Sequence, residues 1–246
     1  MTKLLVSVRD RHEALAAWQG GADVIDVKEP NQGALGFAGW LTVAEVLTSL
    51  SSLCGRQPLT SVACGELVDL LSRSAARSPD LPFHFAKVGL AGMASNPQWP
   101  VLWRQWAERL PQGSQPVAVA YADWRDCAAP SVDEVWDAST DVCRGLLIDT
   151  YHKQGQSLLD YLSVEMLTAI VRRADRAGRW VALAGSLSVD AVQTVAPCRP
   201  TYFAVRTAAC ENGRHGRVSV ERVLRLRERL VKFSNELCAA ERQKNA

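Results

Sequence analysis

The sequence predicts an α/β protein, a single (β/α)8 TIM-type barrel, on three observations. Eight short apolar runs alternate with eight helical patterns, no linker or low-complexity stretch separates them, and 246 residues suit one such barrel. One domain is therefore expected over residues 1–246, with the polar tail from about 238 to 246 outside its packed part. A doubly wound sheet is the structural alternative. It would need a glycine-rich turn after the first strand, where the chain instead reads SVRDRHE.

The expected strands are LLVSV from Leu4, DVIDVK from Asp23, LTSVA from Leu59 and FHFAKVGL from Phe83. They continue with VAVAYAD from Val117, GLLIDT from Gly145, WVALAGS from Trp180 and TYFAVRT from Thr201. Each is nearly continuous in Val, Ala, Ile and Leu, as strands buried on both faces require. Helices are expected over 11–19, 40–50, 66–76, 99–110, 132–141, 158–177 and 188–195. A last one follows Ser219, a residue type suited to capping, with Val220, Val223, Leu224, Leu230 and Val231 along one face. Trp99, Trp103 and Trp106 recur at i, i+4 and i+7, which places them on a helix face against the barrel wall rather than at a subunit interface.

Composition narrows the functional classes. A hydrophobic fraction of 48% is enough for a sizeable core, and a net charge of +2 with interleaved acids and bases points away from nucleic-acid and membrane-surface partners. The opening MTKLLVSVRD is too short an apolar run for a signal peptide or a membrane span, so a cytoplasmic protein is expected. Seven cysteines without a C-x-x-C pair read as free thiols. His12, His84, His152 and His215 lie too far apart to suggest a zinc site, so no metal is expected.

The lysines carry the chemical signal. Only six of the 28 basic residues are Lys, namely Lys3, Lys28, Lys87, Lys153, Lys232 and Lys244. An amine can lose its proton and attack a carbonyl, which a guanidinium cannot do. Sites in these barrels lie at the C-terminal ends of the strands. Asp26 and Lys28, two apart, end the second strand facing the same way, Lys87 interrupts the fourth, and Asp149 ends the sixth with Lys153 in the loop after it. Desolvation and crowding among like charges would push such amines toward neutrality. The loops after strands seven and eight, AGSLS and VRTAAC, look like phosphate binders, with Gly185 admitting the backbone, Ser186 and Thr207 as hydroxyl donors, and Arg206 as a charged fork.

The blocks GGADVIDVKEPNQGALG, FAKVGL, GLLIDTYHKQGQSL, ALAGSL and AVRTAAC…NGR, in order from Gly20 to Arg214, resemble (5-formylfuran-3-yl)methyl phosphate synthase. This family, also called 4-(hydroxymethyl)-2-furancarboxaldehyde-phosphate synthase, serves methanofuran biosynthesis in methanogens, with relatives in methylotrophic bacteria. The resemblance implies a barrel that joins two glyceraldehyde 3-phosphate molecules into the furan phosphate with loss of phosphate and water. It implies Lys28 as the Schiff-base residue and Lys87 as the proton acceptor. Asp26, Asp149 and Lys153 would complete a charged site that uses no cofactor. The expected partner is a small phosphorylated aldehyde; a homo-oligomer is compatible with the sequence. The resemblance assigns no role to the stretch GELVDLLSRSAARSPD after the third strand. Two other readings use the same residues: a class I aldolase for another phosphorylated aldehyde, and a barrel that binds a phosphometabolite without turning it over.

Overall fold

In a computed structural model of the chain, residues 1–55, 57–72, 79–153 and 155–244 are described. The strands are β1 (Lys3–Val8), β2 (Val24–Val27), β3 (Leu59–Glu66), β4 (Phe85–Gly89), β5 (Gln115–Tyr121), β6 (Gly145–Asp149), β7 (Trp180–Leu183) and β8 (Tyr202–Val205). All eight are parallel, each pairs with its neighbour in sequence, and β8 returns to β1, so the sheet closes as the TIM-type barrel that the sequence predicts. The helices are α1 (Arg11–Gln19), α2 (Trp40–Ser51), α3 (Leu67–Ser72), α4 (Trp99–Glu108), α5 (Val132–Ser139), α6 (Leu158–Tyr161), α7 (Val164–Arg176), α8 (Ala191–Val195) and α9 (Val220–Lys244). None of them is long and apolar enough to cross a membrane.

The period-2 alternation of each strand sorts the core into two layers. Outward residues such as Leu4, Val6, Ile25, Val62, Ala86, Ala118, Leu146, Val181 and Phe203 pack under the helices, together with Trp99 and Trp103 of α4, while Trp106 packs against this cluster half-buried. Inward residues fill the barrel: Leu5, Val24, Ala63, Val117, Val119, Leu147, Ala182 and Ala204. At the N-terminal end the bore is plugged by edge-to-face rings, Phe85 against Trp180 and Trp180 against Tyr202, each pair 5.2 Å between centroids. The opposite end has small inward residues and stays open to charged ones.

Two expected helices differ. The pattern over 158–177 breaks into α6 and α7 because Ser163 leaves the helix in extended backbone and its hydroxyl accepts from the Met166 N–H, starting a new helix. The helix expected over 66–76 begins one residue later, because Glu66 still belongs to β3, and residues 73–76 lie outside the described residues. All seven cysteines are free thiols. Ser163→Ala should lower stability by about 1 kcal/mol through loss of the α7 cap, read as a lower urea midpoint with an unchanged slope. An unchanged midpoint would show that packing alone separates the two helices.

Candidate active site

Asp26 and Lys28 lie on the inner face of β2 and just past its end, and Lys87 rises from the inner face of β4. Asp26 is 1% exposed and Lys87 4%, and their charged atoms lie 2.6 Å apart. The Ser7 hydroxyl on β1 donates to the other Asp26 oxygen at 3.0 Å. A buried carboxylate and a buried ammonium thus neutralise each other in the middle of the bore.

The second charged pair belongs to β6. Lys153 Nζ donates to Asp149 Oδ1 at 2.5 Å, and the Thr150 N–H donates to the same oxygen at 2.8 Å. The loop carrying Lys153 is folded over by Asp123, whose carboxylate accepts from the Tyr151 N–H at 2.7 Å and the His152 N–H at 2.8 Å. Burial opposes ionisation of Asp149, but Lys153 and Lys28 together hold its carboxyl below the usual carboxylate range. Burial also pulls Lys153 downward, against the attraction of Asp149.

Lys28 is left over. Its Nζ donates to the Ala34 carbonyl at 3.3 Å, and among the described residues no carboxylate pairs with it directly. Desolvation dominates, and the more distant Asp149 and Asp26 offset it only in part, so the amine is lowered to about 7.

The phosphate-loop candidates meet the same pocket. Lys28, Lys87, Asp26, Asp149, Lys153, Gly185, Ser186 and Thr207 all line one pocket that is partly open to solvent. Gly185 (φ 95°) and Ser186 (φ 52°) take left-handed backbone, which a serine adopts only where its surroundings impose it. A Cβ at Gly185 would stand 3.0 Å from the Thr150 methyl, so glycine is what lets the β7 loop close on the β6 loop. Ser186 and Thr207 are exposed.

Arg206 departs from expectation. Its five N–H groups are all committed inside the protein: two to the Glu13 carboxylate, and one each to the carbonyls of Ser7 (3.0 Å), Arg214 (3.1 Å) and Gly216 (2.9 Å). No fork remains for a phosphate. Asp10 caps α1 through the N–H groups of His12 and Glu13, which fixes Glu13 in the first turn to meet Arg206. Arg206 and Arg214 both line the pocket, and it is Arg214, named in the sequence only within the resembling NGR, whose N–H groups are not all committed. Its Nη2 donates to the Gly33 carbonyl at 3.0 Å, tying the loop after β8 to the loop after β2. Two more groups at the strand ends went unnoticed, Glu66 and Tyr121, bonded to each other at 2.6 Å. No cluster of metal-binding side chains occurs among the described residues.

A closed parallel barrel with ion-paired lysines and a spare amine at its C-terminal mouth defines a TIM-type barrel with an amine–carboxylate site. A family model described as 4-HFC-P synthase matches residues 4–227, and the chain belongs to that family of enzymes. The (5-formylfuran-3-yl)methyl phosphate synthase of Methanopyrus kandleri is 32% identical over 230 residues, covering 89% of this chain and 93% of the relative. That of Archaeoglobus fulgidus is 29% identical over 236 residues, covering 92% and 98%. Among solved structures, phosphoribosyl anthranilate isomerase from Thermotoga maritima superposes with a TM-score of 0.61 at 13% identity, covering 94% of this chain and all of that one. This last likeness is one of fold.

Glu13→Ala should destabilise the protein by about 3–5 kcal/mol, because it strands the buried Arg206 charge. The check is chemical denaturation, and a loss under 1 kcal/mol would mean that Arg206 finds water when its partner is gone.

Proposed function

We propose that this barrel condenses two glyceraldehyde 3-phosphate molecules into (5-formylfuran-3-yl)methyl phosphate, as a carbon–oxygen lyase supplying methanofuran-type one-carbon carrier synthesis. One phosphoric acid and two water molecules leave, and no net oxidation occurs, so the chemistry calls for no redox cofactor. The observation that carries the reading is Lys28, a buried amine lowered to about 7 and left without a paired carboxylate. Such an amine is neutral often enough at physiological pH to attack an aldehyde.

The iminium that forms is an electron sink, and it acidifies the neighbouring carbon of the bound triose. Lys87, once it has passed its own proton to Asp26, receives that proton, and the resulting enamine expels phosphate or attacks the second aldehyde. Lys153 and Asp149 exchange protons with the oxygens that leave as water. Gly185, Ser186 and Thr207 offer backbone and hydroxyl donors to one phosphate, and Arg214 supplies the guanidinium first sought at Arg206.

The direct test is to incubate pure protein with glyceraldehyde 3-phosphate alone, follow furan product and released phosphate by mass spectrometry, and map borohydride-trapped peptides. Furan phosphate with an adduct on Lys28 is expected. An adduct without furan product would instead support an aldolase for another phosphorylated aldehyde, and neither would leave a binding barrel. Lys28→Arg keeps the cation and should abolish turnover with the fold intact; near-normal activity would end the Schiff-base assignment.

Adduct formation should follow the neutral amine. Trapping at fixed substrate should climb between about pH 6 and 8, one unit either side of the Lys28 value, and level off above. A flat profile over that range would contradict the lowered amine. Arg214→Ala should raise KM about tenfold, the equivalent of about 1.4 kcal/mol, with kcat within about threefold. A fall in kcat at unchanged KM would move Arg214 from binding to chemistry.

A further inference from the structure

We propose that Glu66, held in place by Tyr121, is a further proton-transfer residue of this mouth, acting in the dehydration that follows carbon–carbon bond formation. The inference rests on the furan-forming reaction proposed above.

The geometry begins with a slip in the sheet. β3 pairs with β4 through Ala63 opposite Lys87, then shifts register so that Glu66 comes opposite Gly89. Gly89 follows Lys87 by two residues and so faces the same interior. It has no side chain, and a Cβ built there would overlap the Glu66 carboxylate. The space above Lys87 is therefore filled by a carboxylate from the neighbouring strand. One of its oxygens accepts from the Tyr121 hydroxyl at 2.6 Å and the other from the Ala91 N–H at 3.0 Å. Each oxygen keeps a lone pair free for a proton. Tyr121 is fully buried and is the register partner of Asp149, which sets the pair beside the second ion pair of the site.

The surroundings favour proton uptake. Burial raises the Glu66 carboxyl, partly offset by the phenol and the Ala91 N–H, with Asp69 and Asp149 adding to the rise. The titratable groups facing it are Tyr121 and Cys127 of β5 and its loop, Tyr151 and Asp149 of β6 and its loop, and Asp69 of α3. Lys87 lies one inward position below Gly89 on β4.

The reaction has a place for such a group. Lys87 already carries the proton taken in enamine formation, Lys153 is paired with Asp149, and Lys28 holds the substrate, yet each loss of water needs a further carbon-bound proton to be taken. Glu66 takes that proton, and the C–H electron pair becomes a ring double bond. The neighbouring C–O bond breaks with its pair on oxygen, which accepts a proton from the Lys153 ammonium and leaves as water. Glu66 then gives its proton to solvent through the open mouth while Lys153 takes one up, so protons and electrons balance without a co-reactant.

The experiment compares Glu66→Gln, Glu66→Asp and Tyr121→Phe with wild type for furan formation, Lys28 trapping and the pH dependence of kcat. Glu66→Gln should lower kcat at least about 100-fold, the range of a lost acid–base group, with KM within about threefold. It should trap a hydrated six-carbon adduct on Lys28 to the wild-type extent, and Glu66→Asp should recover part of the rate. Tyr121→Phe removes a hydrogen bond that favours the ionised carboxylate. The carboxyl then protonates more readily, and the limb on which kcat falls with falling pH should move to higher pH.

Turnover of Glu66→Gln within threefold of wild type would overturn the proposal while leaving the furan reaction standing. So would a loss matched by equal loss of Lys28 trapping or of thermal stability in both Glu66 variants, since that describes a structural carboxylate. If Glu66→Gln does not fold, an unmoved pH limb in Tyr121→Phe overturns it. A wild-type protein that forms no furan overturns this inference and the proposed function together.

Discussion

Two carboxylates shared among three lysines govern this barrel. Asp26 is claimed by Lys87 and Asp149 by Lys153, each pair within hydrogen-bond distance and nearly sealed from water. A buried ion without a partner would cost several kcal/mol, so neither pair can open cheaply to serve a third charge. Lys28 therefore stands among charges without belonging to any of them. Burial lowers its amine to about 7, and this leftover status, more than any special contact, sets it apart from the other two lysines of the site. Ser7, by holding the second oxygen of Asp26, keeps that carboxylate turned to Lys87 and away from Lys28.

The rim of the site is held by a different device, in which the first and last parts of the chain meet. Glu13 in the first turn of α1 receives Arg206 from the end of β8, and Arg206 in turn grips the carbonyls of Arg214 and Gly216. The loop that brings Arg214 over the pocket is thus anchored to the opening helix of the chain. A charged residue expected at the ligand is instead a fastening one step behind it, while the free guanidinium comes from eight residues later.

Most of the frame was legible from residue order alone. Each parallel strand announces itself as an apolar run, and Lys28, Lys87 and Asp149 stand out because they interrupt or end such runs. What escaped depends on contacts distant in sequence. Nothing in VRTAAC says that Glu13, 193 positions earlier, will consume the arginine. Glu66 is expected at a helix start, whereas the strand continues through Cys64 and Gly65 to it by a register shift. Its partner Tyr121 looked like an ordinary aromatic in a buried strand. A signal did exist: Gly89, a glycine inside a strand two residues beyond a suspect lysine, marks a place where something else approaches. The break at Ser163 was similarly readable as a capping residue, but the apolar spacing on either side continued smoothly enough to hide it.

The scarcity of lysine has a further effect on how the molecule meets covalent reagents. Of the six lysine amines in the chain, Lys3 and Lys232 lie on the surface, whereas Lys28, Lys87 and Lys153 line one cavity, two of them locked in ion pairs. Reagents that seek neutral amines near pH 7 discriminate by protonation state, and ordinary lysines are almost wholly protonated there. A small aldehyde entering the pocket thus meets one lysine that is about half deprotonated near pH 7. Lys28 is thereby set apart from the surface lysines as a labelling site, against a guanidinium-rich exterior.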